Sequence, residues 1–375
     1  MRKDFVGARP LSTVAWSFTA TRAEFWHNAA IMTASAASPV PSINRQFVLA
    51  ARPVGMPTES DFQVVSVPIP ALGSGQILLR TMFLSVDPYM RGRMNGIRTY
   101  ADPVDIGQVM VGGTVGKVVQ STNPQFNVGD VVAGYWGWQE FAISNGQGVQ
   151  KLDTSIAPAS TALGVLGMPG MSAYFGFLDI CQPKPGETVL ISGAAGAVGS
   201  LVGQIAKIKG CRAVGIAGTD EKVAWLTHEL GFDAAFNYKT TENYVAKLKE
   251  LCPNGIDCYF DNVGGAVTDA VLHVLNVRAR MSICGQISQY NSAKAEPGVR
   301  PYVYLLSKQA RAEGFIITQF MNRFPEGIPK MAQWIKEGKL KYREHIVEGF
   351  ENAPRALIGV LQGDNTGKML VRVSS

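Results

Sequence analysis

The stretch Ile191-Ser192-Gly193-Ala194-Ala195-Gly196-Ala197-Val198-Gly199-Ser200 packs glycines and alanines around a single valine, between an apolar run ending at Ile191 and an amphipathic run over 198–209. Its spacing, Ala194-x-Gly196-x-x-Gly199, is that of a glycine-rich turn with alanine in the first slot. So little side chain lets backbone N–H groups approach an anion at the N-terminus of the following helix, where the helix dipole favours negative charge. Standing alone, such a turn reads equally as close packing of helix on strand. A strand before it, a helix after it and a repeat of that unit point to the pyrophosphate of a dinucleotide. Alanine at 194 needs a backbone φ below zero there, which widens the turn without abolishing it.

Outward from this turn, strand and helix patterns alternate. Strands are predicted at 187–193, 211–218, 234–238, 256–263, 279–285 and 312–318, with helices over 198–209 and 221–231. This alternation implies a parallel sheet covered by helices, the doubly wound α/β arrangement. From Arg45 to about Gly148 the pattern is different, with short β-rich runs such as Phe62-Gln63-Val64-Val65 separated by turn clusters, which reads as a barrel-like all-β domain. After a helix predicted at about 326–338, the segments 342–349, 356–363 and 367–373 return to β-like character, so the tail is expected to rejoin the first domain.

The bulk numbers bound the function. A chain of 375 residues implies two domains, and 46% hydrophobic with 17% charged residues describes a well-packed protein. The net charge of +6 is spread without a Lys/Arg-rich block, which argues against nucleic acid as a partner. Five cysteines without a Cys-x-x-Cys pair fit a reducing, cytoplasmic setting, and four histidines standing apart offer no metal site. Residues 154–178 carry no charge and have the length of a membrane span, but Pro158, Gly164, Gly167, Pro169, Gly170 and Gly176 interrupt them. They read as a buried interdomain region, with no membrane partner. Residues 1–43 show no sustained period and end in a Ser/Ala/Pro tract. They are expected to be a disordered extension, with Met32 as an alternative start; Asp4 and Pro10 intrude on any signal-peptide reading.

The residues after the second strand bear on the choice of cofactor. In Gly218-Thr219-Asp220-Glu221-Lys222, Asp220 stands nearly where an acid would grip a ribose 2′-hydroxyl, indicating NAD. The strand end Ala217-Gly218 carries no acid, and Lys222 could reach a 2′-phosphate; Asp220 would then be a helix N-cap.

Further motifs carry a resemblance. Leu84-Ser85-Val86-Asp87-Pro88-Tyr89-Met90-Arg91-Gly92-Arg93-Met94, the segment 109–119, the segment 166–177, the fingerprint itself, Gly231–Lys239, Tyr259-Phe260-Asp261-Asn262-Val263-Gly264-Gly265, Cys284–Asn291 and Gly349–Pro354 together resemble the zinc-independent medium-chain dehydrogenase/reductases, near the NADPH-dependent curcumin and prostaglandin (leukotriene) reductases. The resemblance runs from about Asn44 to Val373. It implies a GroES-like β-barrel domain over 44–164, a Rossmann doubly wound domain over 165–338 and a return of 339–375 to the barrel, with the active site between the domains. It further implies NADPH as cofactor, an α,β-unsaturated ketone or aldehyde as substrate, no metal, and a homodimer in which the last Rossmann strand, Gly314-Phe315-Ile316-Ile317-Thr318, pairs across a two-fold axis.

Carried over position by position, Gly196, Ala197, Val198 and Gly199 would hold the pyrophosphate and Lys222 and Tyr238 the phosphorylated adenosine. Asn262 and the run Cys284, Gly285, Gln286, Ile287, Ser288, Gln289 and Tyr290 would lie along the cofactor, with Phe315, Ile316, Ile317 and Asn365 around its nicotinamide half. Plainer readings stand beside these: Cys284 as a small buried residue at a strand end, Tyr238 as strand filling, Asn262–Gly265 as a turn, and Phe315 as core as well as wall. Saturating an activated C=C bond calls for hydrogen-bond donors at the developing enolate oxygen, a role suited to a phenol. Tyr89, Tyr100 and Tyr290 are the candidates, against a structural role for Tyr89 beside Pro88. Arg91 and Arg93 read most simply as a solvated turn or as barrel ion pairs. A quinone reductase and a non-catalytic NADPH-binding protein remain alternatives.

Overall fold

The structure, a computed structural model, describes residues 41–294 and 296–374; the expected extension lies outside them except for its last three residues. Of those three, Ile43 already opens a strand, Ile43–Leu49.

Six parallel strands form one sheet, in the spatial order Ala234–Asn237, Arg212–Ala217, Thr188–Ile191, Ile256–Asp261, Leu275–Ile283, Arg311–Gly314. The chain therefore runs outward in one direction from Thr188–Ile191 and then restarts beside it at Ile256–Asp261. Between those two strands lies the switch point, the crevice at whose carboxyl ends ligands bind in such sheets. Thr188–Ile191 is buried at every position, which is why it reads as an unbroken apolar run. Separate apolar clusters pack the two faces, one around Phe175, Phe177, Leu201 and Ile205, the other around Tyr259, Val271 and Leu275.

The β-rich part closes around Trp138, Phe47, Phe62, Leu84 and Met90. Its larger sheet runs Glu344–Glu348, Lys368–Arg372, Ile77–Ser85, Thr114–Ser121, Val131–Gly134, Gln150–Lys151, with Phe141–Ser144 also on Ile77–Ser85. Two of these strands come from the tail, and Lys368–Arg372 pairs antiparallel with Ile77–Ser85.

Three expectations need correction. Residues 356–363 are not β-like: Ala353–Gln362 is a helix whose Ala353, Ala356, Leu357 and Val360 are buried on the barrel core at helical spacing. Pro354 sits in its first turn and Gly363 ends it in the left-handed conformation, φ 79°. The last parallel strand is Arg311–Gly314 rather than 312–318, because Phe315 turns inward onto Gly176, Phe260 and Phe320. The N-cap of the helix from Asp220 is Thr219, whose hydroxyl accepts from the backbone N–H of Lys222 at 3.3 Å. The uncharged run 154–178 lies against the core as a 3-10 turn, Ala159–Leu163, and a helix, Met168–Phe175, and no helix among the described residues is long and apolar enough to cross a membrane.

Candidate active site

Sterics explain why the fingerprint tolerates an alanine. The left-handed residue is Gly193, φ 58°, one position before the variable slot, so Ala194 is spared a positive φ. Ala194 is fully buried, and the glycine opposite, Gly215, makes room for its methyl group: a Cβ at 215 would lie 3.1 Å from it. Gly199 is required by close approach, since a Cβ there would stand 2.4 Å from the Gly193 carbonyl oxygen. Gly196, Ala197 and Val198 remain partly open at the start of the helix Gly199–Ile208, placed to meet an anion. The tail docks on this turn, with the Gly367 N–H donating to the Ala195 carbonyl at 2.8 Å. Asn365 lies on the same tail turn and donates to the Gly367 carbonyl at 2.7 Å.

Across the switch point, the fully buried carboxylate of Asp261 organises the next loop. Its Oδ1 accepts from the Ser192 and Tyr259 hydroxyls at 2.9 and 2.8 Å and from the backbone N–H groups of Val263 and Gly264, both at 2.9 Å. Its Oδ2 accepts from Thr268 Oγ1 at 2.7 Å and Gln286 Nε2 at 3.1 Å. Among the described residues it has no cationic partner, so neutral donors alone satisfy it. The result is a fixed Asn262–Gly265 loop: Asn262 donates from its backbone N–H to Ser192 Oγ and from Nδ2 to the Ser192 carbonyl, at 2.9 and 2.7 Å. The 284–290 segment is laced onto it, with Ile287 and Ser288 donating to the Asn262 and Val263 carbonyls. Gln289 and Ser288 face outward, while Cys284 is held by its backbone N–H on the Asp261 carbonyl. Burial pushes the Cys284 thiol up to about 12, which keeps it a thiol rather than a nucleophile. Asp261 escaped the sequence reading because an acid at a strand end looks like any other polar terminus.

At the far end of the crevice, Lys239 and Tyr238 close over Gly218, and Lys222 stands near Lys239. A Cβ at 218 would meet the Tyr238 ring at 3.1 Å and Lys239 Cε at 3.5 Å. Lys222 is buried and donates to the carbonyl of Gly363, the end of the tail helix. Burial, followed by repulsion from Lys239, lowers its pKa. Asp220 is turned away, accepting from Asn237 Nδ2 at 2.9 Å. Two ammonium groups, with Asp364 as the one acid acting on Lys222 among the described residues, suit a phosphate there better than a free 2′-hydroxyl.

Of the three candidate tyrosines, Tyr100 neighbours both Tyr89 and Tyr290. Tyr89 starts the short helix Tyr89–Arg93, half-buried against the barrel core, and burial followed by Asp87 raises its pKa well above the ordinary phenol range. Tyr100 sits on an exposed loop, and around its hydroxyl stand Tyr290, Arg93 and Asp87. Tyr290 folds back over its own loop so that its oxygen accepts the Gln286 N–H at 3.2 Å, leaving its hydrogen free to donate. Burial raises its pKa too. Tyr135, absent from the sequence reading, faces the Tyr89 hydroxyl and donates to Met168 Sδ at 3.0 Å. Phe315 is a core residue here, with Ile316 exposed and Ile317 partly buried after it. Arg91 overturns the expectation of a solvated turn or ion pair: it is 3% exposed and donates only to neutral oxygens.

The Asp261 network yields a direct expectation. Asp261→Asn replaces one acceptor oxygen by an NH2 that faces other donors, and each mismatched buried polar group costs about 1–3 kcal/mol. Affinity for a nicotinamide dinucleotide, read by fluorescence titration, should fall about tenfold or more. Unchanged affinity would show that the loop holds its shape without the carboxylate.

Comparison with known proteins identifies the family. A family described as the N-terminal domain of oxidoreductase matches residues 45–152, and one described as zinc-binding dehydrogenase matches 197–337. Among the described residues no cluster of His, Cys, Asp or Glu is arranged to hold a metal ion. The NADPH-dependent curcumin reductase of Escherichia coli is 49% identical over 336 residues, covering 88% of this chain and 97% of its own. Prostaglandin reductase 1 of Rattus norvegicus is 47% identical over 323 residues, covering 85% and 95%. The crystal structure of CurA in complex with NADPH from Vibrio vulnificus matches at 48% identity with a TM-score of 0.85, covering 88% and 99%. With a Rossmann sheet, a barrel completed by the tail and relatives of this similarity over nearly their whole length, the chain belongs to the medium-chain dehydrogenase/reductases, in the branch of the curcumin and prostaglandin reductases.

Proposed function

We propose that this protein reduces the C=C bond of α,β-unsaturated ketones and aldehydes with NADPH. The observation that carries this reading is that Tyr100 neighbours both Tyr89, from the barrel, and Tyr290, from the carboxyl end of the parallel sheet. Relatives named for curcumin and prostaglandin reduction support the reaction class.

NADPH, when bound, supplies the hydride for the β-carbon of the enone. The residues present fit it: open glycine turn for the pyrophosphate, Asn262 and the 284–290 run along the crevice, Lys222 and Tyr238 at the 2′-phosphate. The task of the chain is then alignment and charge stabilisation. A hydride arriving at the β-carbon pushes electrons onto the carbonyl oxygen, and Tyr89 and Tyr290 can each donate an O–H to it. Burial keeps both phenols protonated, as donors must be. Tyr100 borders the same place from the exposed loop.

The same reading takes 44–164 and 339–375 as the substrate-side domain and 165–338 as the cofactor domain, and places the protein in the cytoplasm, where its five free cysteines would stay reduced. It is a homodimer. Support comes from the edge strand Arg311–Gly314, exposed along its length, and from exposed Tyr302, Val303, Leu306 and Met321 beside it in the chain. A monomeric mass by light scattering at micromolar concentration would contradict this.

For the cofactor, Lys222→Ala should raise the KM for NADPH about ten- to a hundredfold, because a charge-assisted phosphate contact contributes about 1.5–3 kcal/mol. NADH use should stay nearly constant; an unaltered preference between the two would remove Lys222 from the 2′-phosphate site.

For the tyrosines, Tyr89→Phe and Tyr290→Phe should each lower kcat about tenfold or more while NADPH affinity survives, since a lost oxyanion donor costs up to about 2.7–4 kcal/mol. If they share one oxygen, the double variant loses less than the product of the single losses. The pH dependence follows from the raised pKa values: both phenols keep their protons through the ordinary value of 10.0, so kcat should not decline below it. Full activity of both single variants, or a decline centred below that value that vanishes in Tyr89→Phe, would refute the assignment.

A further inference from the structure

We propose that Arg91 and Asn291 form a latch between the two domains that sets the width of the enone cleft, acting as positioning residues for Tyr89 and Tyr290. The inference rests on the reading of those tyrosines given above. Arg91 lies two positions after Tyr89 on the same short helix, and Asn291 directly follows Tyr290. Arg91 Nε donates to Asn291 Oδ1 at 2.9 Å, so a single hydrogen bond ties together the two tyrosine-bearing segments, 200 residues apart.

The surroundings make this a built contact. Arg91 is 3% exposed, and its guanidinium donors go to Asn95 Oδ1 at 2.6 Å, to the Gly55 carbonyl at 2.9 and 3.3 Å and to the Pro53 carbonyl at 3.3 Å. Those three partners belong to the barrel; Asn291 alone belongs to the other domain. Burying a guanidinium without a carboxylate is costly, and fastening the 53–55 loop would not by itself require a cation. A charge-assisted bond across the cleft is what the charge contributes. The Asn291 amide is held from a second side as well, donating from Nδ2 to Met56 Sδ at 3.4 Å. Gly55, left-handed at φ 77°, brings its backbone close to that of Asn291. On the other side, the 287–288 turn is pinned to the Asn262–Val263 backbone. The segment carrying Tyr290 is thus fixed to the cofactor loop at one end and to the Tyr89 helix at the other, and its spacing from Tyr89 decides how bulky an enone fits.

Asn291→Ala is the test, because Gly55 still accepts from Arg91 Nε and the barrel contacts survive. Turnover of but-3-en-2-one and of the bulkier 4-phenylbut-3-en-2-one is compared, with NADPH affinity by fluorescence and amide hydrogen exchange over 286–294. Loss of a charge-assisted contact should lower kcat/KM for the small enone about tenfold. The bulky enone should lose much less, so the ratio between the two shifts, while NADPH affinity holds and exchange over 286–294 quickens. Asn291→Asp, which keeps an acceptor for Arg91, should restore ratio and exchange. An unchanged ratio, an equal loss for both enones together with NADPH affinity, or an Asp variant as impaired as the Ala variant overturns the latch. Should Tyr290→Phe prove silent, the tyrosine assignment fails, whereas the exchange data still decide whether Arg91 and Asn291 hold the domains together: unaltered exchange in Asn291→Ala refutes it.

Discussion

The buried ammonium of Lys368 is the contact on which the two halves of the site depend. Its Nζ donates to the Val86 and Met369 carbonyls at 2.7 and 2.8 Å and stands 3.1 Å from Asp87 Oδ1, and Ser85 Oγ donates to the other oxygen of that carboxylate. Burial lowers the lysine pKa and the Asp87 charge opposes that, so the pair survives in the interior because each charge answers the other. Removing one partner of such a pair typically costs about 3–5 kcal/mol, since the other charge is left uncompensated. Residues 86 and 87 immediately precede the turn into Tyr89. The neighbour of Lys368, Gly367, is the residue that bridges to the dinucleotide turn at Ala195 and Gly196. Two consecutive tail residues therefore tie the segment leading into the Tyr89 helix to the glycine-rich turn, which the tail reaches only by returning to the first domain.

From that anchor the chemistry divides by domain. The parallel-sheet domain contributes an open helix N-terminus, a loop whose shape is set by the many neutral donors converging on Asp261, and the side chains of Lys222 and Tyr290. The barrel contributes side chains, above all a phenol whose proton is retained because burial disfavours its anion. The meeting line of the two domains runs along Tyr89, Tyr100 and Tyr290, with Arg91 and Asn291 closing it.

The legible part of this architecture was local. The glycine-rich turn announces itself because its constraint, close backbone approach within a few residues, is written in those residues; the same holds for the parallel strands, whose burial on both faces leaves apolar runs. What escaped depends on partners distant in the chain. Tyr135 reaches Tyr89 only because Val131–Gly134 pairs beside Thr114–Ser121. Arg91 looks solvated in sequence, and only the 53–56 loop and Asn291 bury it. The segment 356–363 reads either way because its seven apolar and small residues and one glutamine fit either period, and the deciding face, the barrel core, comes from hundreds of residues earlier. The strand ending at Gly314 was overextended for a similar reason, as Phe315 has strand character but a core to fill.

The account stands or falls on where the hydride goes. With NADPH carrying deuterium at the transferred position of its nicotinamide ring and 4-phenylbut-3-en-2-one in ordinary water, nuclear magnetic resonance of the product locates the label. The account predicts a saturated ketone with deuterium on the carbon β to the carbonyl and an unlabelled hydrogen, taken from water, on the α-carbon. Deuterium on the carbonyl carbon of an allylic alcohol, or an untouched enone beside rapid reduction of a quinone, would contradict it.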